Sequence, residues 1–421
     1  MKTKKIKIGI FGTGRGVGVA VNLMQNGAEI VAICENRPER LEKAYEKLGK
    51  DIAVYEDFDK FIEHDMDAVV IANFFHEHAP YAIKCLEKGI HVYSECLSNG
   101  TMAEGVALVR AAEKSKAVYM QAENFPNMLF NREMKRVYEG GTLGKLLYAE
   151  GEYNHPSSLD EYCRINYSET HWRNQSPVVQ YLTHSLGPLM AITGATPKRV
   201  VTMAAFAPET GDVPVPTLNA DQAGIMLTQN DDGSVFRFTG CSRFGGGACD
   251  SYRICGTKGS IENIRGMGEQ VMLRYNRWDT PEGAEQTKLY TPEWNVENEE
   301  LVKQSDHGGS DFITASIFLD CVKKGVQPPM PYDVYSATLM ASVAHLAHRS
   351  MLEGARPYDI PDFRREEDRK QYENDYLSIF APEGSPNHLP CCSHPDYRPT
   401  ETQRKLYFDL LAEKAKEAKK Q

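Results

Sequence analysis

The stretch KIGIFGTGRGVG, residues 7–18, decides the fold of this chain. The apolar run at 6–11 predicts a buried strand that leads into a glycine-rich turn, and the periodic apolar residues of 19–24 then predict a helix. Glycine is needed in such a turn because a side chain would hold the backbone away from a pyrophosphate, whose charge is stabilised by amide N–H groups at the helix N-terminus. The stretch therefore predicts a strand, a phosphate-binding turn and a helix.

The turn departs from the usual dinucleotide fingerprint, but its context supports the same interpretation. Gly12 and Gly14 match the first two positions of G-x-G-x-x-G, whereas the sixth position is Val17. The next predicted strand, 29–34, is followed by Glu35, at about the 20-residue spacing where an acidic side chain accepts hydrogen bonds from a ribose diol. A glycine-rich surface turn with a chance glutamate is the alternative. We predict a bound NAD whose cofactor-binding residues include Gly12, Gly14, Arg15, Gly16 and Glu35.

The carboxylate of Glu35 also bears on the choice between the two nicotinamide cofactors. It would repel a 2′-phosphate, which favours NAD over NADP. Arg37 and Arg40 lie close by in the sequence and leave NADP open as an alternative.

Length and composition limit the classes of function. A chain of 421 residues is long enough for two domains, and its formal net charge of −10 gives no basic surface for nucleic acid or an anionic membrane. No apolar run approaches the ~20 residues that span a bilayer, and the N-terminal MKTKK leads directly into a strand. We therefore expect a cytoplasmic protein that acts on a small molecule.

Strands and helices alternate over the first ~125 residues, which is typical of a doubly wound parallel sheet. Predicted strands at 67–72, 90–93 and 117–121 each end in polar residues. Ligands of such sheets bind at the carboxyl ends of the strands. The residues that follow these three strands are therefore predicted to bind the cofactor, namely Asn73, His76, His78, Glu95 and Asn124.

Beyond residue 125 the pattern changes to long alternating strands, which predicts a mostly antiparallel sheet. One helix, predicted over 178–193, interrupts these strands. The expected fold is α/β, with an N-terminal Rossmann doubly wound parallel sheet and a C-terminal α+β domain that contains a large mostly antiparallel sheet. Sheets of this kind often use one face for self-association, so we expect a homo-oligomer. The predicted domains are 1–125 for NAD binding, 126–355 for substrate and oligomerisation, and 356–421 as a C-terminal extension with a terminal helix.

The ten cysteines do not indicate a metal site. They are scattered, apart from the adjacent pair Cys391 and Cys392, and no C-x-x-C pair is present. We predict mostly reduced thiols and no bound metal.

Several segments together resemble the Gfo/Idh/MocA oxidoreductases. These are the glycine turn, the segment DAVVIANFFHEHAPYAIKCLEKGIHVYSE at 67–95, and a helix with His184 within an antiparallel domain. The resemblance implies a Rossmann domain, a tightly held NAD(P), and hydride transfer at a sugar or cyclitol carbon. Two positions depart from the family: its Glu-Lys-Pro signature is replaced by Glu-Cys-Leu at 95–97, and its aspartate four residues before the histidine is replaced by Gln180.

Four further blocks resemble a narrower branch, the NAD-dependent α-N-acetylgalactosaminidases, which also lack the signature lysine. The blocks are AEGEYNHP at 149–156, HWRN at 171–174, YLTHSLGP at 181–188 and HGGSDF at 307–312. This resemblance implies that a small set of side chains faces a sugar or glycoside substrate. The predicted catalytic residues are Tyr153, Tyr181 and His184, with His155 two residues beyond Tyr153.

The residue types suit that chemistry. Tyr181 and His184 are three residues apart, which would place both on one face of the predicted helix. Histidine can take the hydroxyl proton when a hydride leaves the same sugar carbon. The resulting ketone acidifies the neighbouring C–H, so that the glycosidic oxygen can leave, water can add and the hydride can return. Tyr153 or Tyr181 could act as the second base if a cation such as Arg164 or Arg173 lowered its pKa.

Three interpretations of function remain open at this stage. The first is redox-neutral glycoside hydrolysis, and the second is a net sugar or cyclitol dehydrogenase that releases NADH. The third is a regulatory protein that binds NAD without turnover, which Cys96 and Gln180 permit. His184 could also be a buried structural histidine, and Tyr153 could be a sheet-packing residue.

Overall fold

A computed structural model describes residues 5–166, 171–208 and 220–418. The strands are β1 Lys7–Phe11, β2 Glu29–Cys34, β3 Ala53–Tyr55, β4 Ala68–Ile71, β5 His91–Ser94, β6 Tyr119–Gln121, β7 Leu146–Asn154, β8 Pro197–Phe206, β9 Asp221–Asn230, β10 Val235–Ser242, β11 Cys249–Gly256, β12 Gly259–Asn263, β13 Val271–Tyr275, β14 Thr287–Tyr290 and β15 Tyr358–Asp359. The α-helices are α1 Thr13–Gln25, α2 Pro38–Leu48, α3 Phe58–Phe61, α4 His78–Glu87, α5 Met102–Lys114, α6 Leu129–Glu139, α7 Leu159–Ile165, α8 Thr183–Thr193, α9 Glu299–Gln304, α10 Ser310–Lys324, α11 Val334–Leu352, α12 Glu366–Tyr372 and α13 Glu401–Ala418.

The first six strands form one parallel sheet in the order β3-β2-β1-β4-β5-β6. This is the doubly wound order, with the reversal of strand order between β1 and β4. The central strand β4 is buried along its whole length, as expected for a strand with helices on both faces. The predicted Rossmann sheet is confirmed.

The remaining strands form a nine-stranded sheet in the order β14-β13-β12-β11-β7-β10-β9-β8-β15. All its pairs are antiparallel except β7 with β10, so the prediction of a large mostly antiparallel sheet is confirmed. Helix α8 packs against β7 and β10, and α11 packs against β8. Helix α8 therefore lies over the middle of the sheet, because β7 is its central strand.

The helix predicted over 178–193 begins later, at Thr183. Val178 and Val179 instead pack closely over Gly224 and Gly240, and the Val178 carbonyl accepts a hydrogen bond from the Cys241 N–H at 3.1 Å. The backbone at Val178 and Val179 thus packs on the sheet instead of continuing the helix, and the predicted start of this helix was wrong. Tyr181 therefore lies in the turn before α8.

Helix α10, although it follows most of the second sheet in the chain, packs against the first domain. It packs against α1, and its apolar residues join a buried cluster with the strands and helices of residues 8–120. The boundaries near residues 125 and 355 remain a prediction. The terminal helix α13 packs against α7.

No helix in residues 5–166, 171–208 and 220–418 has both the length and the apolar character needed to cross a lipid bilayer.

Candidate active site

A cleft of about 780 Å³ opens at the carboxyl ends of the first sheet. The turn after β1, the end of β2 and the loops after β4 and β5 form one side of it, and the segment 171–181 forms the other. The residues predicted to bind the cofactor that line this cleft are Gly12, Gly14, Arg15, Glu35, Asn73, His78 and Glu95.

The glycines of the turn have three different roles. Gly12 has φ +86°, and a Cβ there would lie 2.5 Å from the Ala72 carbonyl oxygen, so only glycine fits. A Cβ on Gly16 would lie 2.7 Å from the Ile10 side chain, which shows that α1 packs closely on β1 at this position. Gly14 lines the cleft, and a Cβ there would meet only the Arg40 guanidinium. Its position leaves the α1 N-terminus open to a ligand.

Glu35 directly follows β2 and accepts several hydrogen bonds from the protein. One carboxylate oxygen receives the Thr13 N–H at 3.2 Å and the Thr13 hydroxyl at 2.7 Å. The other receives the N–H groups of Asn36 and Arg37 at 3.0 and 3.1 Å. These bonds hold the carboxylate at the cleft wall beside the glycine turn. Arg37 and Arg40 line the same end of the cleft.

The loop after β4 is held by His78. This buried ring places Nδ1 2.8 Å from the Leu97 carbonyl and Nε2 3.3 Å from the Asn73 carbonyl, and burial lowers its pKa. The Asn73 side-chain Nδ2 donates to Glu77 at 3.2 Å, whereas its Oδ1 is buried without a hydrogen-bond partner among the described residues. His76 lies outside the cleft and stacks on Phe380 at 4.0 Å.

These features fit a bound NAD. The α1 N-terminus, kept open by Gly14, can hold a pyrophosphate. The Glu35 carboxylate lies where the ribose diol is bound in this fold, and Asn73 Oδ1 can accept a further hydrogen bond.

Arg15 connects the glycine turn to the second half of the chain. Its guanidinium donates to Glu95 at 3.1 Å and to Asp311 of α10 at 2.7 Å. Asp311 also accepts from the Asn124 amide at 2.7 Å and contacts His307 Nδ1 at 3.0 Å. The Asn124 side chain, which was predicted to bind the cofactor, therefore donates its hydrogen bond to Asp311 and does not line the cleft. Burial acts to raise the pKa of Asp311, but the bonds from His307 and Arg15 outweigh it and hold this pKa well below its usual range.

The hydrogen bond to Asp311 raises the pKa of His307. Burial raises the pKa of Glu95, and Arg15 only partly opposes this.

His184 lies at the start of α8 and is paired with a buried carboxylate. Its Nδ1 is 2.8 Å from an oxygen of Glu123, which is fully buried and follows β6. The imidazole also stacks on Phe125 with a centroid distance of 4.0 Å. Burial acts to raise the pKa of Glu123, but the interaction with His184 outweighs it and the pKa is lowered. The carboxylate and Phe125 thus fix the orientation of the imidazole.

Tyr153 and Tyr181 complete an aromatic cluster around His184. Their ring centroids lie 4.9 and 5.1 Å from the imidazole and 5.9 Å from each other. Burial raises the pKa of Tyr181 to about 12 although Arg173 acts to lower it, and burial raises the pKa of Tyr153 far above its usual value. The condition under which either tyrosine could act as the second base, a pKa lowered by a nearby cation, is therefore not fulfilled by Arg173. Both phenols are hydroxyl donors here.

His155 lies at the exposed end of the same cluster. Its ring centroid is 5.8 Å from that of Tyr153, and its Nδ1 is 3.4 Å from the Ser157 hydroxyl. Arg173 stacks over Trp172 at 4.1 Å and lines the cleft. The Arg164 side chain lies outside the part of the chain that the structure describes.

Sequence reasoning missed Glu123 as a site residue and gave no contact for Cys96. Glu123 follows β6, so the rule that ligands bind at the carboxyl ends of strands could have identified it. Cys96, at the position of the family lysine, points its thiol at Glu123 with a sulfur to oxygen distance of 3.3 Å. Burial raises the pKa of this thiol well above its usual value, so the group is neutral.

No group of three or more histidine, cysteine, aspartate or glutamate side chains arranged to hold a metal ion occurs within residues 5–166, 171–208 and 220–418.

A nucleotide cradle in a doubly wound sheet and a carboxylate-paired histidine are both features expected of an NAD-dependent enzyme. Comparison with known families agrees and is more specific. Residues 6–123 match the oxidoreductase family with NAD-binding Rossmann fold, 131–262 match the GFO/IDH/MocA C-terminal domain, and 249–370 match the glycosyl hydrolase 109 C-terminal domain. The chain therefore combines a Gfo/Idh/MocA NAD-binding Rossmann domain with a glycosyl hydrolase 109 C-terminal domain, and it is an NAD-dependent enzyme of the glycosidase or dehydrogenase type.

Similar proteins cover most of the chain. A glycosyl hydrolase family 109 protein of Porphyromonas gingivalis is 27% identical over 86% of this chain and 86% of its own length. One from Bacteroides thetaiotaomicron is 26% identical with the same coverage. Among solved structures, levoglucosan dehydrogenase in complex with NADH and L-sorbose has a TM-score of 0.71 and 19% identity, over 86% of this chain and 100% of that one. This last likeness shows the shared fold.

Proposed function

We propose that this enzyme hydrolyses glycosides by a redox-neutral route in which the hydride removed from a sugar carbon is later returned to it. The observation that carries the proposal is the buried Glu123–His184 pair, enclosed by Tyr153 and Tyr181. The similarity to glycosyl hydrolase family 109 proteins supports the same reaction class.

The residues that would hold the cofactor are Gly12, Gly14, Glu35 and Asn73. Bound there, NAD supplies an acceptor for the hydride of a sugar carbinol and afterwards its donor.

His184 handles the hydroxyl proton. The Nδ1–H group donates to Glu123, which leaves Nε2 as the basic atom. Nε2 takes the proton of the sugar hydroxyl as the C–H bond breaks, and it returns this proton when the ketone is reduced. The buried carboxylate stabilises the imidazolium that forms in between.

The second proton comes from the carbon next to the ketone, and its loss breaks the glycosidic C–O bond. We assign the acceptance of this proton to His155, which directly follows β7 and whose ring centroid lies 5.8 Å from that of Tyr153. An exposed imidazole can take the proton and exchange it with water, whereas the neutral Tyr153 phenol can only donate a hydrogen bond. The neutral Tyr181 hydroxyl orients the sugar by donating a hydrogen bond. Water then adds to the unsaturated ketone: its oxygen becomes the new hydroxyl, one of its protons goes to the expelled alcohol oxygen, and the neighbouring carbon recovers the proton that it lost.

The test is a panel of p-nitrophenyl glycosides of both anomeric configurations. Nitrophenol and NADH absorbance are followed together, with and without added NAD⁺. We expect nitrophenol release that needs only catalytic NAD⁺ and leaves no net NADH. NADH formed in proportion to a free sugar or polyol, with no release from any glycoside, would identify a net dehydrogenase. Tight NAD binding without turnover of any sugar would indicate a regulatory protein.

A further inference from the structure

Asp250 on β11 was not among the predicted site residues, yet the sheet directs it into the aromatic cluster around His184. It pairs with Tyr153 across the β7–β11 ladder, and directly opposed residues of two strands project from the same face. Two residues along β11, Tyr252 is fully buried and its hydroxyl donates to the His184 carbonyl. Because side chains alternate along a strand, Asp250 and Tyr252 share the face that packs on α8.

The carboxylate of Asp250 lies among groups already assigned to the site. His184, His155 and His307 lie close enough to lower its pKa, and Glu123 acts in the opposite direction. Burial is nevertheless the largest influence, and it raises the pKa of Asp250. The side chain is half-buried, so it remains open to a ligand from one side.

Asp250 differs from the other carboxylates of the site in its hydrogen bonds. Glu123 accepts from several donors, among them His184, Phe125 and Cys96. Asp311 has three donors within reach, from Arg15, Asn124 and His307. The main-chain carbonyl of Asp250 accepts from Asn263 at 2.7 Å, but within the described residues no donor reaches its carboxylate. A partly buried carboxylate without a donor is costly, and a bound ligand with hydroxyl groups would supply one.

We propose that Asp250 binds the sugar of the substrate by accepting a hydrogen bond from a hydroxyl group outside the three reacting carbons. This inference rests on the proposed function for the nature of the ligand, a sugar. The residue thereby selects sugars that carry a free hydroxyl at that carbon. Selection of this kind is strong because a carboxylate left without its donor loses a charge-assisted hydrogen bond.

The test is the affinity of Asp250→Asn for a free sugar. Isothermal titration with N-acetylgalactosamine is carried out on the NAD⁺-saturated protein, and NAD⁺ affinity is measured separately. Asp396→Asn, at an exposed position of the C-terminal extension, is the matched control. We expect sugar affinity to fall about tenfold or more in Asp250→Asn, with NAD⁺ affinity unchanged in both variants. Equal sugar affinity in the two variants, or no sugar binding by the unsubstituted enzyme, would overturn the proposal.

A second measurement does not depend on the folding of a variant. The 4-deoxy and 6-deoxy forms of the sugar are titrated into the unsubstituted enzyme, and one of them is expected to bind about tenfold more weakly. The same compound should lose no further affinity in Asp250→Asn, because the hydroxyl and the carboxylate form one interaction. Undiminished affinity for both deoxy sugars would contradict the proposal.

The outcomes also separate this proposal from the proposed function. Sugar binding that depends on Asp250, without hydrolysis of any glycoside, would refute the hydrolytic reaction and leave the role of Asp250 intact. Hydrolysis of a glycoside together with a sugar affinity that Asp250→Asn does not change would support the hydrolytic reaction and refute the role of Asp250.

Discussion

The proposed active site has a cofactor end and a sugar end, and the two are built in different ways. At the cofactor end, Gly12, Gly14 and Gly16 lie in one short stretch, and Glu35 closes the following unit. At the sugar end, the side chains come from β7, the turn before α8, α8 itself and the residues after β6. The first end depends on backbone conformation over a few residues. The second depends on the packing of two sheets and a helix, so its chemistry is sensitive to single side chains.

The largest expected effect of a substitution lies at the sugar end. His184→Ala removes the proposed base, and turnover of the best p-nitrophenyl glycoside should fall roughly 10²- to 10⁴-fold. Within the described residues, the contacts of this ring involve none of Gly12, Gly14, Gly16 and Glu35, so NAD⁺ affinity should stay within about twofold. Steady-state kinetics and NAD⁺ titration measure the two effects. If His184→Ala kept its activity within tenfold of the unsubstituted enzyme, His184 would not be the base of the reaction.

A matched pair of glycine substitutions sharpens the comparison at the cofactor end. Gly14→Ala adds a Cβ toward the cleft, where only the flexible Arg40 side chain has to move. Gly16→Ala forces a Cβ to 2.7 Å from Ile10, which costs about 1 to 3 kcal/mol of stability by overpacking. Both substitutions replace glycine by alanine in α1, so helix propensity raises the stability of the two variants by similar amounts and does not affect the comparison between them.

We expect Gly14→Ala to lose about tenfold or more in NAD⁺ affinity and to keep its melting temperature. Gly16→Ala should have a lower melting temperature. NAD⁺ titration and thermal unfolding without cofactor distinguish the two effects, and a reversed pattern would contradict the roles assigned to these glycines.

The smallest expected effect concerns the junction between the two ends, where Asp311 contacts Arg15, Asn124 and His307. The lowered pKa of Asp311 means that its contribution is present above pH ~4 and is lost as the pH falls below that value. The raised pKa of His307 means that its contribution is present below pH ~6.5 and is lost as the pH rises through the higher folded value.

Asp311→Asn should therefore be less stable than the unsubstituted enzyme, by roughly 1 to 3 kcal/mol, with the largest difference between about pH 4 and 6.5. Melting temperatures measured from pH 3.5 to 9 give this profile. The control is Asp320→Asn, an exposed position on the same helix, which should show no such maximum. A difference that does not vary with pH would indicate that the charges of Asp311 and His307 do not contribute.

The same contrast explains what the sequence could predict. The glycine turn and Glu35 follow local rules of spacing, because strand, turn and helix are adjacent in the chain. Glu123 escaped notice because its partner, His184, is distant in sequence and only the packed structure joins them. Asp250 was missed for a similar reason, since its direction depends on the register of β11 with β7.

Tyr181 shows a different limit of prediction. Its closeness to His184 was expected from helical spacing, but the residue precedes the helix because the Val178 carbonyl is engaged by β10. The two rings nevertheless lie 5.1 Å apart, so the expected proximity holds with a different backbone conformation. The tyrosine pKa values were also beyond prediction, because burial outweighs the effect of Arg173, and burial is a property of the folded chain.

The position of α10 has a consequence for how this protein is made. Its residues Ala315, Phe318 and Leu319 belong to the same buried cluster as Ile8 and Ile10. A ribosome that adds about 5 to 20 residues per second needs roughly 10 to 40 s to go from residue 125 to residue 310. During that interval the nascent first sheet exposes the apolar surface that α10 later covers. The growing chain thus has a defined window in which a chaperone that binds apolar segments would find a target.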